Sequence, residues 1–188
     1  DMKREVKSTS VSERDKQVEE DLWQRYGAER EVWTEPMLIT LERGIKGNKW
    51  FSLIDKVWSD RTLGTAWGKV LSNAGACGVD GISVEFFAKD SQKRLLALKE
   101  RLTKNTYQPK AIRRVHIPKP GSKEERPLGI PTVLDRVVQS ATKMVIEPIF
   151  EREFAPTSYG FRPGRGCKDA LREVERLLRD GCLRVVDV

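Results

Sequence analysis

The sequence predicts an α+β fold, mostly helical, with one basic β-hairpin. Two observations predict the class. Apolar residues recur at helical spacing through most of the chain. The stretch 111–131 instead carries β-branched residues on either side of a Pro-Gly turn. A third observation singles out the hairpin: residues 99–126 hold nine Lys/Arg against three Asp/Glu, which is six of the chain's net seven positive charges. Such a field, confined to 28 residues, attracts phosphates and is not a general solubility device.

The 188 residues suffice for one ordinary domain, or for a domain with an added helical piece. No run approaches the roughly 20 apolar residues of a membrane span, and the first thirty or so residues are too polar for a secretory signal. Cys77, Cys167 and Cys182 are widely spaced, contain no CxxC pair and argue for a reducing, intracellular setting without a zinc site. His116 is the single histidine, which excludes a His-based triad or a multi-His metal centre. The chain begins at Asp1 and stops at Val188, and both ends read as cuts in something longer.

Residues 1–20 are charged and poor in apolar groups, the pattern of a flexible or weakly helical arm. Met37, Leu38, Leu41 and Ile45 form one helical stripe, and Trp50, Leu53, Ile54, Val57 and Trp58 a second, across a glycine break at 44–48. Trp50, Trp58 and Trp67 suit either a core or stacking on bases. The glycine-rich stretch NAGACGVDG (73–81) matches neither a phosphate loop nor a dinucleotide fingerprint. Ser83 then caps a helix from Val84 to about Thr103, with Phe87, Leu95, Leu98 and Leu102 on one face. Residues 105–109 end it.

Ile112, Val115 and Ile117 predict a strand ending at Pro118; 119–125 turns; residues 128–131 return. Thr132 caps the next helix, with Asp135 at its third position. Its apolar face is Leu134, Val137, Val138, Ala141, Met144 and Val145, and Pro148 bends or ends it. Residues 159–167 (YGFRPGRGC) are irregular. A final helix turns Ala170, Leu171, Val174, Leu177 and Leu178 inward, with Gly181 at its C-terminal cap. A strand then begins at Leu183, Val185, Val186 and Val188.

Three groups of residues bear on chemistry. Arg113, Lys119 and Arg126 sit on the outgoing strand, the turn and the return strand, so a hairpin brings three cations toward one polyphosphate. Arginine supplies a planar fork and lysine a mobile point charge. A solvated, charged turn is the competing reading, favoured slightly by Glu124 and Glu125. In 160–166, Arg162 and Arg165 lie among three glycines and a proline, a segment suited to phosphate-backbone contact or to ordinary ion pairs. Phe161 and Tyr159 fit a buried anchor better than a stacking platform. Asp187, in a β-branched strand, is a weak candidate for a metal ligand of a two-metal site.

The run from YQPKAIRRVHIPKPGSKEERPLGIP through TVLDRVVQSATKMVIEPIF to SYGFRPGRGCKDAL resembles the fingers region of bacterial group II intron-encoded reverse transcriptases, or maturases. NAGACGVDGIS is similar to the loop at the front of that domain, and ERGIKGNKWFSLIDKVWS to an upstream extension. The resemblance covers roughly residues 35–188. It implies the fingers, with the start of the palm, of a right-hand polymerase fold. The implied division is an N-terminal arm over 1–34, a helical extension over 35–72, fingers over 73–181 and the first palm strand over 182–188.

By the same resemblance, Arg113, Lys119, Arg126 and Arg162 are nucleotide-binding residues that hold the incoming triphosphate and nearby template. Lys110, Arg114, Lys123, Arg165, Gly75 and Gly78 are implied RNA contacts. The family's first metal-binding aspartate belongs to a pattern of Asp, apolar residue, Lys. VVDV stops one residue short of it, so Asp187 matches the position two residues upstream and no catalytic residue falls within the chain. The implied parent is an RNA-directed DNA polymerase using Mg²⁺ in two-metal nucleotidyl transfer. Its implied partners are template and intron RNA, a deoxynucleoside triphosphate and a DNA primer or target site, with no membrane. Its place is a ribonucleoprotein in the bacterial cytoplasm, serving splicing and mobility of the intron. This segment alone is expected to be inactive, and the alternative from another class is an RNA-binding module without catalysis.

Overall fold

The computed structural model of the chain describes residues 13–44 and 52–184, with side chains from Glu20 onward. The expectations for residues 1–12, for Ile45 and Trp50 in the two stripes, and for the closing strand with Asp187 lie outside these described residues. The order of elements is α1 (Glu13–Tyr26), α2 (Glu35–Arg43), α3 (Leu53–Val57), α4 (Asp60–Asn73), α5 (Val84–Lys89), α6 (Ser91–Thr103), β1 (Arg113–Pro118), β2 (Glu125–Ile130), α7 (Val133–Glu153) and α8 (Cys167–Arg179). Helices therefore dominate and the two strands pair antiparallel, as the α+β reading requires.

The chain divides into two compact units. One gathers the described parts of residues 31–33 and 45–146, the other those of 1–30, 34–44 and 147–188. In the first, Ser59 caps α4 by accepting the Thr62 N–H at 3.1 Å, and Thr62, Leu63, Ala66 and Val70 turn inward from it. The sequence pattern does not single out this helix. Trp67, half-buried, lies 4.7 Å from Phe87 between ring centroids and is part of the packing. Ser83 caps α5 by accepting the Phe86 N–H at 3.2 Å. The single helix expected over 84–103 is broken at Asp90, whose φ of −127° departs from helical values and separates α5 from α6. Phe87 and Leu98 nonetheless reach the same core as Val133, Val137, Ala141, Met144 and Val145 of α7. Asn105, at φ 54°, stops α6.

Pro148 does not end α7, which runs on to Glu153. A proline at this position removes the N–H that would bond to the Met144 carbonyl four residues earlier. The indole N–H of Trp33, itself fully buried, donates to that carbonyl at 3.0 Å. An acceptor orphaned by the backbone is thus satisfied by a side chain, as a buried carbonyl demands.

In the second unit, Trp23 and Tyr26 of α1 and Leu38 and Leu41 of α2 are buried. Tyr26 donates its hydroxyl to Glu42, which also pairs with Arg25 at 2.8 Å. Burial, then the bond to Glu42, pushes the Tyr26 hydroxyl up to about 12. Gly27, at φ +55°, carries no Cβ because one would stand 2.4 Å from the Pro163 ring. α8 departs from expectation: Leu171, Val174, Leu177 and Leu178 are exposed, and no residue of the helix is buried. Its arginines pair along the helix, Arg172 with Asp169, Arg176 with Glu173 and Asp180, and Arg179 with Glu175. Those pairs, three or four residues apart, each support the exposed helix only weakly.

The Trp33–Met144 bond generates a prediction. Trp33→Phe should destabilise the chain by about 1–3 kcal/mol in urea denaturation, because the Met144 carbonyl is left buried and unpaired. In a Pro148→Ala background, where the introduced alanine supplies the missing N–H, the same change should cost distinctly less.

Candidate nucleic-acid interface

The hairpin sets one arginine at each end of a mostly apolar face and carries a second face of mixed character. Register pairs Arg113 with Ile130, Val115 with Leu128 and Ile117 with Arg126, so these six side chains share a face. Arg114, His116 and Pro118 lie on the other, opposite Gly129, Pro127 and Glu125. Arg113 and Arg126 are therefore on one face, about four residues or ~13 Å apart along the ladder. Lys119 follows β1, donates its N–H to the Glu124 carbonyl at 2.9 Å, and pairs its ammonium with the Glu124 carboxylate at 2.7 Å. Arg126, Arg114 and Lys123 are exposed; Arg113 is half-buried, with its Nε enclosed and without a hydrogen-bond partner.

Both feet of the hairpin are fixed at the start of α7. Thr132 accepts the Asp135 N–H at 3.1 Å, and its hydroxyl donates to the Asp135 carboxylate at 2.6 Å, a reciprocal cap. The same carboxylate accepts the Tyr107 hydroxyl, and at 3.3 Å the backbone N–H of Lys110. Lys110 precedes β1 by three residues and Thr132 follows β2 by two, so one buried side chain holds both ends. Burial, then the bond to Asp135, raises the Tyr107 hydroxyl above its ordinary range.

The glycine-rich stretch before α5 is clamped to the same place. Arg136 donates from Nη1 to the Ala74 carbonyl and from Nη2 to the Ala76 carbonyl, both at 2.9 Å. Gly75, at φ +101°, lies between them. Gly78 is buried against the chain at Pro131 and Thr132: a Cβ there would stand 2.7 Å from the Thr132 N and Cα. Of the two glycines expected to be RNA contacts, Gly78 permits a close backbone approach and Gly75 takes a positive φ beside the Arg136 guanidinium. Sequence reasoning misses Arg136, because a charge between Asp135 and Val137 reads as solvated helix surface.

Arg162, expected at the nucleotide, is committed elsewhere. Its Nε and Nη2 grip the Glu151 carboxylate, the latter at 2.6 Å, and Nη1 donates to the Ala155 and Ser158 carbonyls at 2.8 and 2.9 Å. Both side chains of that ion pair are about 6% exposed, so no donor remains for a ligand. Arg165 donates to the Pro156 and Ser158 carbonyls and stacks over Tyr159. The arginines of this bend fold it. Phe161, expected as an anchor, is instead fully exposed, and at φ 57° it stands in the left-handed region that non-glycine residues avoid. Among the described residues, no three His, Cys, Asp or Glu side chains are grouped to hold a metal ion. These residues do not fit an Mg²⁺ site, and Asp187 is outside them. No helix among them is long and apolar enough to cross a membrane.

Parts of the sequence match known proteins. Residues 117–188 match the family described as reverse transcriptase (RNA-dependent DNA polymerase). Several relatives carry the word intron in their names. The group II intron-encoded protein LtrA of Lactococcus lactis subsp. cremoris is 37% identical over 113 residues, 59% of this chain and 18% of that protein. Protein YkfC of Escherichia coli (strain K12) is 45% identical over 112 residues, 58% of this chain and 29% of that protein. The mitochondrial nuclear intron maturase 2 of Arabidopsis thaliana is 45% identical over 42 residues, 22% of this chain and 6% of that protein. The matched part of the chain is under a third of the length of each. Over these stretches the chain is similar to reverse transcriptases and to intron-encoded proteins and maturases.

Arg136→Ala should release residues 74–78 while leaving α7 folded. Limited proteolysis should then cut this loop at least several-fold faster than in the parent chain, with the helical circular dichroism unchanged.

Proposed function

We propose that this chain is the nucleotide- and template-gripping part of a group II intron RNA-directed DNA polymerase, which also binds its intron RNA. The observation that carries the reading is the anchored cationic hairpin. Lys119 and Arg126 lie within two residues of each other along the ladder, close enough for one triphosphate. Arg113, ~13 Å farther along the ladder, suits a neighbouring phosphate of the template strand. Lys123 and Arg114 add exposed charge for an RNA backbone. The fingers of a right-hand polymerase, the division at 73 and 182, and residence in a cytoplasmic ribonucleoprotein belong to the same proposal. In the whole protein Mg²⁺ would neutralise and orient the triphosphate; the residues described here bind phosphates and position the strand.

The chain should bind single-stranded RNA with affinity that falls steeply as salt rises. In the R113A/K119A/R126A variant the slope of log affinity against log salt should drop by about 2, roughly 0.7 per lost phosphate contact. Fluorescence anisotropy across a salt series reads both quantities. An unchanged slope in the variant would remove the hairpin from the interface. In a polymerase that contains this segment, the same variant should need more nucleotide for primer extension. An RNA-binding module without catalysis would lose RNA affinity alone.

A further inference from the structure

We infer that a cavity against α6, apart from the hairpin, is a second nucleic-acid site that takes one unpaired RNA nucleotide. Its base would enter the cavity, and its phosphate would sit at Arg94 and Arg101. This inference rests on the RNA-binding reading above and adds residues that reading does not contain. The cavity holds about 240 Å³, below the roughly 300–1,000 Å³ of pockets for drug-sized ligands and on the scale of a single ring system. Its floor is apolar, with Phe87, Leu98 and Val133 each at most 2% exposed.

The rim is cationic. Arg94 and Arg101 are seven residues apart on α6, which returns them to one face two turns along. The Arg94 guanidinium lies 5.2 Å from the Phe86 ring and 5.4 Å from the Phe87 ring, and its Nε is enclosed without a hydrogen-bond partner. Arg101 lies 5.4 Å over Tyr107. Among the described residues neither forms an ion pair. On α8, by contrast, Arg172, Arg176 and Arg179 each find a carboxylate. Phe86, half-exposed, offers a ring beside Arg94 and 6.0 Å from the Lys89 ammonium. Guanidinium groups stacked on aromatics beside an apolar slot are the elements that hold unpaired bases and their phosphates.

Two carboxylates also line the cavity, and they set its orientation. The oxygens of Asp135 already accept from Tyr107, Thr132 and Lys110. Asp80 accepts the Ile82 N–H at 3.2 Å and faces the Lys110 ammonium at 3.4 Å. A phosphate placed deep would meet both; at the rim it meets the arginines. A base edge entering the cavity instead meets Asp80, largely buried, and the exposed Gln108 in its lining, both able to accept from an exocyclic amino group.

The test is anisotropy of a short, labelled single-stranded RNA on the full chain, with R94Q/R101Q beside the hairpin triple variant. Loss of one stacked, phosphate-bound nucleotide should weaken binding at least about tenfold in R94Q/R101Q. R94K/R101K, which keeps charge but loses the planar fork, should still lose affinity several-fold with native circular dichroism. An unchanged affinity in R94Q/R101Q, with loss in the hairpin variant, overturns this inference and leaves the proposed function standing. Loss in the glutamine pair that comes only with unfolding, and is absent in the lysine pair, overturns it as well. Adenosine monophosphate at millimolar level should leave the α6 amide resonances unmoved, whereas the oligonucleotide shifts them. If the mononucleotide shifts them equally, the site takes a free nucleotide and the assignment to RNA is wrong.

Discussion

The Asp135 carboxylate is buried among three donors drawn from separate places: the Thr132 hydroxyl beside it, the Tyr107 hydroxyl and the Lys110 backbone N–H. A carboxylate removed from water is tolerated only when its lone pairs are filled, and here filling them draws two stretches of chain, distant in sequence, together. The segment entering β1 and the segment leaving β2 are held to one helix start. A two-stranded ribbon has little stability of its own, so this node decides whether the hairpin stands as a defined arm. Arg136, one residue further along, extends the arrangement to the glycine-rich loop by filling two of that loop's carbonyls.

The arginines divide by what surrounds them. In the bend at 160–166 and on α8 they are partnered, by Glu151 and backbone carbonyls in one case and by acids three or four residues away in the other. On the hairpin and along α6, among the described residues, Arg94, Arg101, Arg113, Arg114 and Arg126 have no ion-pair partner, and the Nε of Arg94 and of Arg113 is enclosed without a hydrogen-bond partner. Ionic bonds inside a fold hold it in place, whereas unsatisfied guanidinium groups create a field that a polyanion relieves. That difference, and not the count of positive charges, separates the proposed binding surface from the scaffold.

Much of this was legible in the sequence. The hairpin, its charge, the Thr132 cap and the helix after it follow from β-branched residues, a Pro-Gly turn and a capping pair, all signals written within a few residues of each other. What escaped is non-local. The break between α5 and α6 falls at an Asp90 that periodicity passes over, and the survival of α7 past Pro148 depends on Trp33, more than a hundred residues earlier. Arg162 reads as a phosphate ligand in the sequence because its partner, Glu151, lies on another element. The apolar stripe of α8 is real, yet these residues leave it uncovered, since a periodic pattern marks a face without naming its partner.

Asp135, through its bonds to Tyr107, Lys110 and Thr132, holds the cationic hairpin in place. Hydrogen exchange of the Asp135→Ala chain, read at the β1 and β2 amides, tests it most directly. Removing the carboxylate leaves buried donors unpaired at a cost of roughly 3 kcal/mol. The hairpin amides should then exchange at least tenfold faster, while the α4 amides keep their protection. Hairpin amides that stay as protected as in the parent chain would contradict the account.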